Sequence, residues 1–595
     1  MFENSTSSSV LSADESTHSI SPIPTQRLDS VLNVVDDFAI QPSSSTDEKL
    51  SLVSGGKSVL GFTITIIAAI CLNGAPWLME QGLPGVMCGL LGVMLALVLS
   101  AGSGVASRFV VTWIWCSCSV GLAFHWSPAA MAYTLSSGLT LGAIVAFPLI
   151  LWDGFRLALG YWIGARITKN VRFQWLVSAI TAIVLEYIMP GVFPWKIGCI
   201  LLPLPWTIQA VDIFGPSYST FVVFAIVGVI QITAVEALQR YSRQPRIGGT
   251  SDTKVTLAFT SGWKAVFLSP AFVALSINFF YSGTAWQYWR SQCEESLQIR
   301  VGLIQVDPSY KESLANAQEL TASISNEVDL ICWPESSGGN YELQLDDLSA
   351  PERVFEMSRD PKRGLRPWPE PQCELLLAGK NYVGNPFNPD ELFVTAMLVD
   401  RRERITDRYN KRFLMPFGEY VPCENYVPGL SSLFDMDEHI NPGKTSCSLD
   451  STTGARIGTL LCYEDMVPEA ARQAVAEHAN LLVSLINGSA FESPFTLYQH
   501  RLLAQMRALE CRRYFLRCAS TGETCVVNPL GEIVSRLPMQ TSGVLVSEVG
   551  LLTGRTFYCR FPWLLPILGF GILPPFIINA RGKNRQFHLV QNSGE

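Results

Sequence analysis

The sequence predicts a multi-pass α-helical membrane domain followed by an α/β domain of layered sheets and helices. Three observations carry that expectation. Charged residues are only 16% of the chain and the mean hydropathy is +0.25, where soluble proteins carry about 25% charge. Seven apolar runs follow one another between Ser58 and Tyr281, each near the roughly 20 residues that cross hydrocarbon. Beyond them apolar strands alternate with amphipathic helices, which is the pattern of an α/β domain. At 595 residues the chain is also too long for one ordinary folding unit.

Residues 1–56 are rich in Ser, Thr, Asp and Pro and bury too little apolar surface to offset the entropy of ordering them, so a disordered tail is expected. The tail lacks the basic start and apolar run of a cleaved signal peptide. A seven-helix transmembrane domain is expected over 57–285, with spans at 58–74, 83–101, 108–126, 130–151, 172–190, 217–238 and 263–282. The stretch from Phe193 to Ile213 is apolar too, but Pro194, Pro203 and Pro205 break it. It reads as an interfacial or re-entrant segment, with an eighth crossing as the alternative.

Charge placement orients these spans. Arg108 lies between spans two and three; Arg156, Arg166, Lys169 and Arg172 lie between four and five; Arg240, Arg243, Arg246 and Lys254 lie between six and seven. The alternate loops hold only Lys196. The positive-inside rule therefore makes the N-terminus cytoplasmic and brings the chain out after span seven. A last apolar run, within a predicted C-terminal helix at 559–580, precedes Arg581, Lys583 and Arg585 in a cytoplasmic tail at 581–595. Residues 286–558 are thereby expected on the extracytoplasmic side. Within them strands are read at 298–306, 328–335, 375–383, 392–400, 456–464, 480–486 and 514–520, with helices near 309–326 and from Leu497 to Arg513.

The chemistry is expected around Cys462. The run RIGTLL ends at this cysteine and Pro468 opens a helical stretch soon after, so the thiol stands at a strand–turn–helix bend whose free N–H groups can bind an anion. A second apolar strand ends in Glu335, within VDLICWPESSG. A third segment, RYNKRFLMPFGEYVP, carries Lys411 and Glu419. Taken alone, Cys462 could be core filler and Lys411 a solvated surface charge.

In that order the three segments, with WPE, YNKR-x-L-x-PFGEYVP and CYE, resemble the nitrilase superfamily and, more narrowly, the apolipoprotein N-acyltransferases. The resemblance implies an αββα sandwich for 286–558 and a Glu335–Lys411–Cys462 triad. In it Glu335 is the base for the thiol. Lys411 and the backbone N–H of Tyr463 face the oxyanion, Glu419 pairs with Lys411 or helps shuttle protons, and Glu464 orients the site or closes it over substrate. It also implies a ping-pong transfer through a cysteine thioester, from a phospholipid such as phosphatidylethanolamine to the N-terminal amine of diacylglyceryl-cysteine in a lipoprotein. The setting implied is a bacterial inner membrane, and the protein a monomer without cofactor. One departure stands out: after the next strand the family has Asn-Asp-x-Trp-Phe, where this chain has Asn487-Gly488-Ser489-Ala490-Phe491.

Two other readings of the same residues are a membrane-tethered amidohydrolase that passes the acyl group to water, and a non-catalytic lipoprotein-binding membrane protein. The net charge of −8 gives no support for nucleic-acid binding, and no CxxC pairs have zinc spacing. His478 and His500 offer a cysteine–histidine dyad, but both fall in predicted helices away from the motifs. Ten cysteines lie from Cys293 onward. On the outside some of the other nine can pair, while a catalytic Cys462 must stay reduced.

Overall fold

The computed structural model describes residues 82–243 and 266–592, less 101–104, 192–194, 307–312, 337–341, 345–372, 386–387, 427–438, 445–447, 489–492 and positions 136, 169, 190, 403, 423 and 425. The N-terminal tail and the first expected span fall outside them.

The helical half runs α1 (Leu83–Ser100), α2 (Val105–Ala123), α3 (Ser127–Thr134), α4 (Leu139–Ile167), α5 (Val171–Ile188), α6 (Val211–Phe214), α7 (Tyr218–Arg243) and α8 (Pro270–Glu295). Among the described residues three helices, at 139–167, 171–188 and 218–237, are long and apolar enough to cross a membrane. A fourth crossing results if α2 and α3, bent by 58°, act as one. Small residues let the helices approach closely: an added Cβ at Gly154 would meet the Ser117 backbone at 2.6 Å.

The expected fourth span is displaced. Its region is split, α3 ending at Thr134 and α4 starting at Leu139 and running on to Ile167. Arg156, which reads as a loop charge, lies inside α4 and forms a buried pair with Asp153 at 3.2 Å. The segment from Phe193 to Ile213 contains two short 3-10 turns, Ile197–Leu201 and Pro205–Ile208, followed by the single turn of α6. None of these is long enough to span.

Helix α8 passes the expected boundary at 285 and ends at Glu295, leading directly into strand β1 (Leu297–Gln305). The sheets comprise β1, β2 (Leu330–Cys332), β3 (Glu342–Gln344), β4 (Glu374–Asn385), β5 (Asn388–Val399), β6 (Ile405–Asn410), β7 (Ser448–Asp450), β8 (Arg456–Leu461), β9 (Leu481–Ile486), β10 (Phe515–Ala519), β11 (Cys525–Val527), β12 (Ile533–Arg536) and β13 (Gly543–Leu551). One sheet has the order β13-β1-β2-β4-β5-β6, with β3 beside β4; the other has β12-β11-β10-β9-β8-β7.

Period-two patterning stacks these sheets. Val301, Leu303, Leu376, Ala378, Ala396 and Leu398 share one core with Leu460, Leu482 and Leu516 of the second sheet. The alternate residues Ile304, Leu375, Leu377, Met397 and Val399 pack outward against Ala317 and Ile324 of α9 (Ser313–Ile324). On the far face of the second sheet lie α10 (Pro468–Ala476) and α11 (Pro494–Cys511), giving four layers, helix–sheet–sheet–helix. With apolar residues on both faces, the central strands read as continuous hydrophobic runs.

Helix α11 joins the halves. Ala504, Ala508 and Cys511 lie in the sandwich core, while Tyr498, Leu502, Leu503, Met506 and Leu509 belong to the core of the helical half. Just past its end Arg512 takes a left-handed conformation with φ 52°. Its guanidinium, fully buried, donates to Asp212 at 2.9 Å and to Gln209 Oε1 and O at 2.7 and 2.8 Å. Tyr281 donates to the other Asp212 oxygen at 2.8 Å.

The chain returns to the helical half through α12 (Phe557–Arg560) and α13 (Leu564–Asn592). The last helix continues past the expected end at 580, since Arg581, Lys583 and Arg585 favour helix as much as water. The described cysteines, twelve of the fifteen, are all unbridged.

Candidate active site

Three strand ends form the site. Strand β8 delivers Cys462 into a 3-10 turn, Cys462–Met466, and the cysteine itself has φ 49°. Positive φ is costly for a side chain with a Cβ, on the order of 1–3 kcal/mol, and such residues cluster at functional sites. The first N–H groups of the turn, Tyr463's included, have no acceptor within it. Ser336 (φ 59°), beside Glu335, and Phe417 (φ 62°), in the PFGEY turn, are bent in the same way.

Glu335 follows β2, whose ladder extends one residue further through the Trp333 N–H to Leu376 O at 2.9 Å. Its carboxylate is buried at 8% exposure and accepts the Asn487 N–H at 3.3 Å. Burial raises its pKa, opposed by the Lys411 charge, the Asn487 N–H and the Cys462 thiol that hydrogen-bonds to it. Lys411 follows β6 and is 1% exposed. Its Nζ donates to Glu419 at 2.6 Å, and the other Glu419 oxygen accepts the Met415 N–H at 2.7 Å. Burial works against the ammonium, but Glu419 and Glu335 outweigh it and raise the Lys411 pKa. Burial and the negative charge of Glu335 raise the Cys462 thiol, with Lys411 opposing. Burial and Glu335 thus favour the neutral form of the Cys462 thiol, while Glu419 and Glu335 favour the charged form of Lys411.

Glu464 does not reach into the cleft. Fully buried, it accepts from Tyr409 Oη at 2.6 Å, Arg412 N at 2.8 Å, Phe413 N at 3.0 Å and Leu461 N at 2.8 Å. It thus ties the Lys411 segment to the end of the Cys462 strand. The Tyr463 ring is partly buried, and burial raises its phenol pKa. Tyr426, beyond Glu419, is 86% exposed.

The histidines stand elsewhere. His500 on α11 meets Asp465 at 2.5 Å, and Asp465 also accepts from Ser484 at 3.3 Å and pairs with Arg517 at 3.5 Å. His478 lies in an exposed turn after α10, at φ 74°, rather than in a helix.

Sequence reasoning missed the backbone of Asn487, whose N–H binds Glu335 and whose carbonyl faces Cys462 Sγ at 3.9 Å. A signal was available. Asn487 follows β9 as Cys462 follows β8, and the two strands run parallel side by side, so their carboxyl ends converge where α/β sheets bind ligands. Ala490 and Phe491 lie outside the described residues. Among the described residues no group of His, Cys, Asp and Glu could hold a metal ion.

Residues 300–556 match the family model described as carbon–nitrogen hydrolase. The chain is similar to the apolipoprotein N-acyltransferases. That of Azotobacter vinelandii is 30% identical over 267 residues, 43% of this chain and 46% of the relative. Those of Geobacter metallireducens and Haemophilus ducreyi are 31% and 26% identical, over 47% and 62% of their lengths. The chain thus spans about half the length of the curated relatives it matches. Among solved structures, an amidase from Nesterenkonia sp. is similar over 45% of this chain and 96% of its own, at 21% identity and a TM-score of 0.31.

Proposed function

We propose that this chain is a membrane-embedded N-acyltransferase that moves a fatty acyl group from a phospholipid to the N-terminal amine of a diacylglyceryl-cysteine lipoprotein. The observation that carries the reading is the meeting of buried Glu335 and Lys411 with half-buried Cys462 in one cluster. The cluster lies in a domain bonded to apolar helices, and both substrates reside in lipid. The similarity to proteins named apolipoprotein N-acyltransferase supports the same choice.

In the first half-reaction Glu335 takes the Cys462 proton and the thiolate attacks the ester carbonyl carbon of the donor, phosphatidylethanolamine being the donor the resemblance implies. Charge then gathers on the carbonyl oxygen, facing the Lys411 ammonium and the Tyr463 N–H. Collapse breaks the ester C–O bond, and the lysophospholipid oxygen recovers the proton from Glu335, leaving an acyl thioester. In the second half the lipoprotein amine attacks the thioester and gives a proton to Glu335. The C–S bond breaks, and the thiolate regains that proton. Glu419 holds the ammonium in place and Glu464 holds the segment that bears it. The protein acts as a monomer in a bacterial inner membrane, with the sandwich on the extracytoplasmic side.

Incubating the purified protein with acyl-labelled phosphatidylethanolamine tests the scheme. A labelled thioester absent from Cys462→Ala, and discharged by a diacylated lipopeptide amine, is the expected result. Release of the label as free fatty acid at the same rate without the lipopeptide would instead make the protein a hydrolase.

A further inference from the structure

At the opposite end of the second sheet from Cys462 lies a cavity of about 630 Å³. It is lined by Arg456, His478, Arg513, Arg555 and Arg560, and no carboxylate is among the lining residues. Arg456 opens β8 whereas Cys462 follows its end, so six residues of extended strand, roughly 20 Å, separate the two sites. The cavity is not a part of the catalytic cleft.

Its charge is poorly compensated. Arg456 is cancelled by Asp450 at 3.1 Å. Arg513, 2% exposed, donates only to carbonyls: Ala479 at 2.8 Å, Cys511 at 3.3 Å, Arg512 at 3.0 Å and Gly554 at 2.5 Å. Arg555 donates to the Ala476 carbonyl. Among the described residues no carboxylate pairs with Arg513, Arg555 or Arg560. The carbonyls come partly from the ends of α10 and α11, each worth about half a negative charge. Three guanidiniums against two helix ends leave an excess of roughly two positive charges, some of it on a buried group, where an anion is most strongly favoured.

The position of the cavity narrows the anion. Arg560 is the last residue of α12, and the apolar helix α13 begins at Leu564. Around it Phe557, Phe561 and Trp563 are 46, 54 and 61% exposed, the arrangement of aromatic side chains seated at a membrane–water interface. Phosphate is the anion concentrated at that depth, and the guanidinium fork matches its oxygens two at a time.

We propose that this cavity is a phosphate-binding site that takes the headgroup of an anionic phospholipid, separate from the acyl-donor site. The inference does not depend on the acyltransferase reading.

The test uses the full chain, delipidated in neutral detergent or reconstituted in nanodiscs, with Arg555→Ala/Arg560→Ala as the variant. Binding is read as the rise in thermal midpoint with inorganic phosphate, with sn-glycerol 3-phosphate, and with phosphatidylglycerol against phosphatidylcholine. The expected result is stabilisation by phosphatidylglycerol, with apparent affinity about tenfold lower for each guanidinium removed. Stabilisation by the soluble phosphates alone, lost in the variant, would keep the anion site but overturn the lipid source. A response equal in wild type and variant, or none to any of the three ligands, would overturn the site. Because thioester formation at Cys462 is read separately, failure here is distinguishable from failure of the proposed chemistry.

Discussion

Glu464, two residues after Cys462, accepts the backbone N–H of Arg412, one residue after Lys411, at 2.8 Å. Two segments of the candidate site, far apart in sequence, thus share a buried carboxylate as their joint, and its three other hydrogen bonds leave it little freedom.

Replacing Glu464 with Ala takes an acceptor from the Tyr409 hydroxyl and three N–H groups in a dry setting, at about 1–3 kcal/mol for each group left unpaired. We expect a clear fall in the thermal midpoint. Acylation should slow by on the order of 100-fold, since a misplacement of about 1 Å suffices for that. Thermal unfolding in detergent and single-turnover thioester formation are the two measurements. Normal acylation in a folded Glu464→Ala protein would refute the positioning role.

Glu419 balances an ammonium that is 1% exposed. Glu419→Gln should destabilise the fold by about 3–5 kcal/mol, the cost of leaving a buried charge with its main partner gone, and should reduce acylation as well. Lys411→Arg should not restore function, because the planar fork does not fit a cavity shaped for a point charge. Thermal melts paired with lysophospholipid release would check both.

In the proposed scheme acylation needs Glu335 ionised. Burial raises its pKa, so its carboxylate is lost at a higher pH than the ordinary value of about 4.3 on acidification. The acid limb of single-turnover acylation should therefore lie above the ordinary glutamate range. In Lys411→Met the main opposing charge is gone and Glu419 is left unpaired; both changes raise the Glu335 pKa, so the residual activity should fall off at still higher pH. A limb moving to lower pH in that variant would contradict the assignment of Glu335 as base.

Arg512 and Asp212 clamp the sandwich to the helical half. Asp212→Ala should cost about 3–5 kcal/mol by stranding a fully buried guanidinium. Arg512→Lys cannot reproduce donation to Asp212, Gln209 and the Pro529 carbonyl at once and should be nearly as damaging. Both effects should register as lowered midpoints with Cys462 chemistry intact at low temperature.

Much of the fold was legible because its signals are local. Strands such as QIRVGLIQV and NLLVSLI are short apolar runs with clean ends, and the cysteine, lysine and glutamate segments each carry their own turn chemistry. What was not legible depended on distant partners. Strand β13 pairs antiparallel with β1 across the whole domain, a relation with no local signature. The extent of α4 was missed because Arg156 looks like a loop charge until seen paired with Asp153 within one helix. Asn487 acts through its main chain, so no side-chain type could announce it. For Glu464 the sequence suggested orienting or closing the site; its four donors, from residues 409 to 413 and from 461, could not be read from it.

Because α11 is shared between two cores, neither half has a finished surface of its own. Cut from the lipid-embedded helices, the sandwich would present Tyr498, Leu502 and Met506 to water and would be expected to aggregate rather than act as a soluble enzyme. Biogenesis is then ordered: the earlier part of the chain must reach the bilayer before the cleft can take shape. Protease resistance of residues 297–551 should arise only after insertion, which keeps a reactive thiol out of aqueous compartments until lipid is at hand.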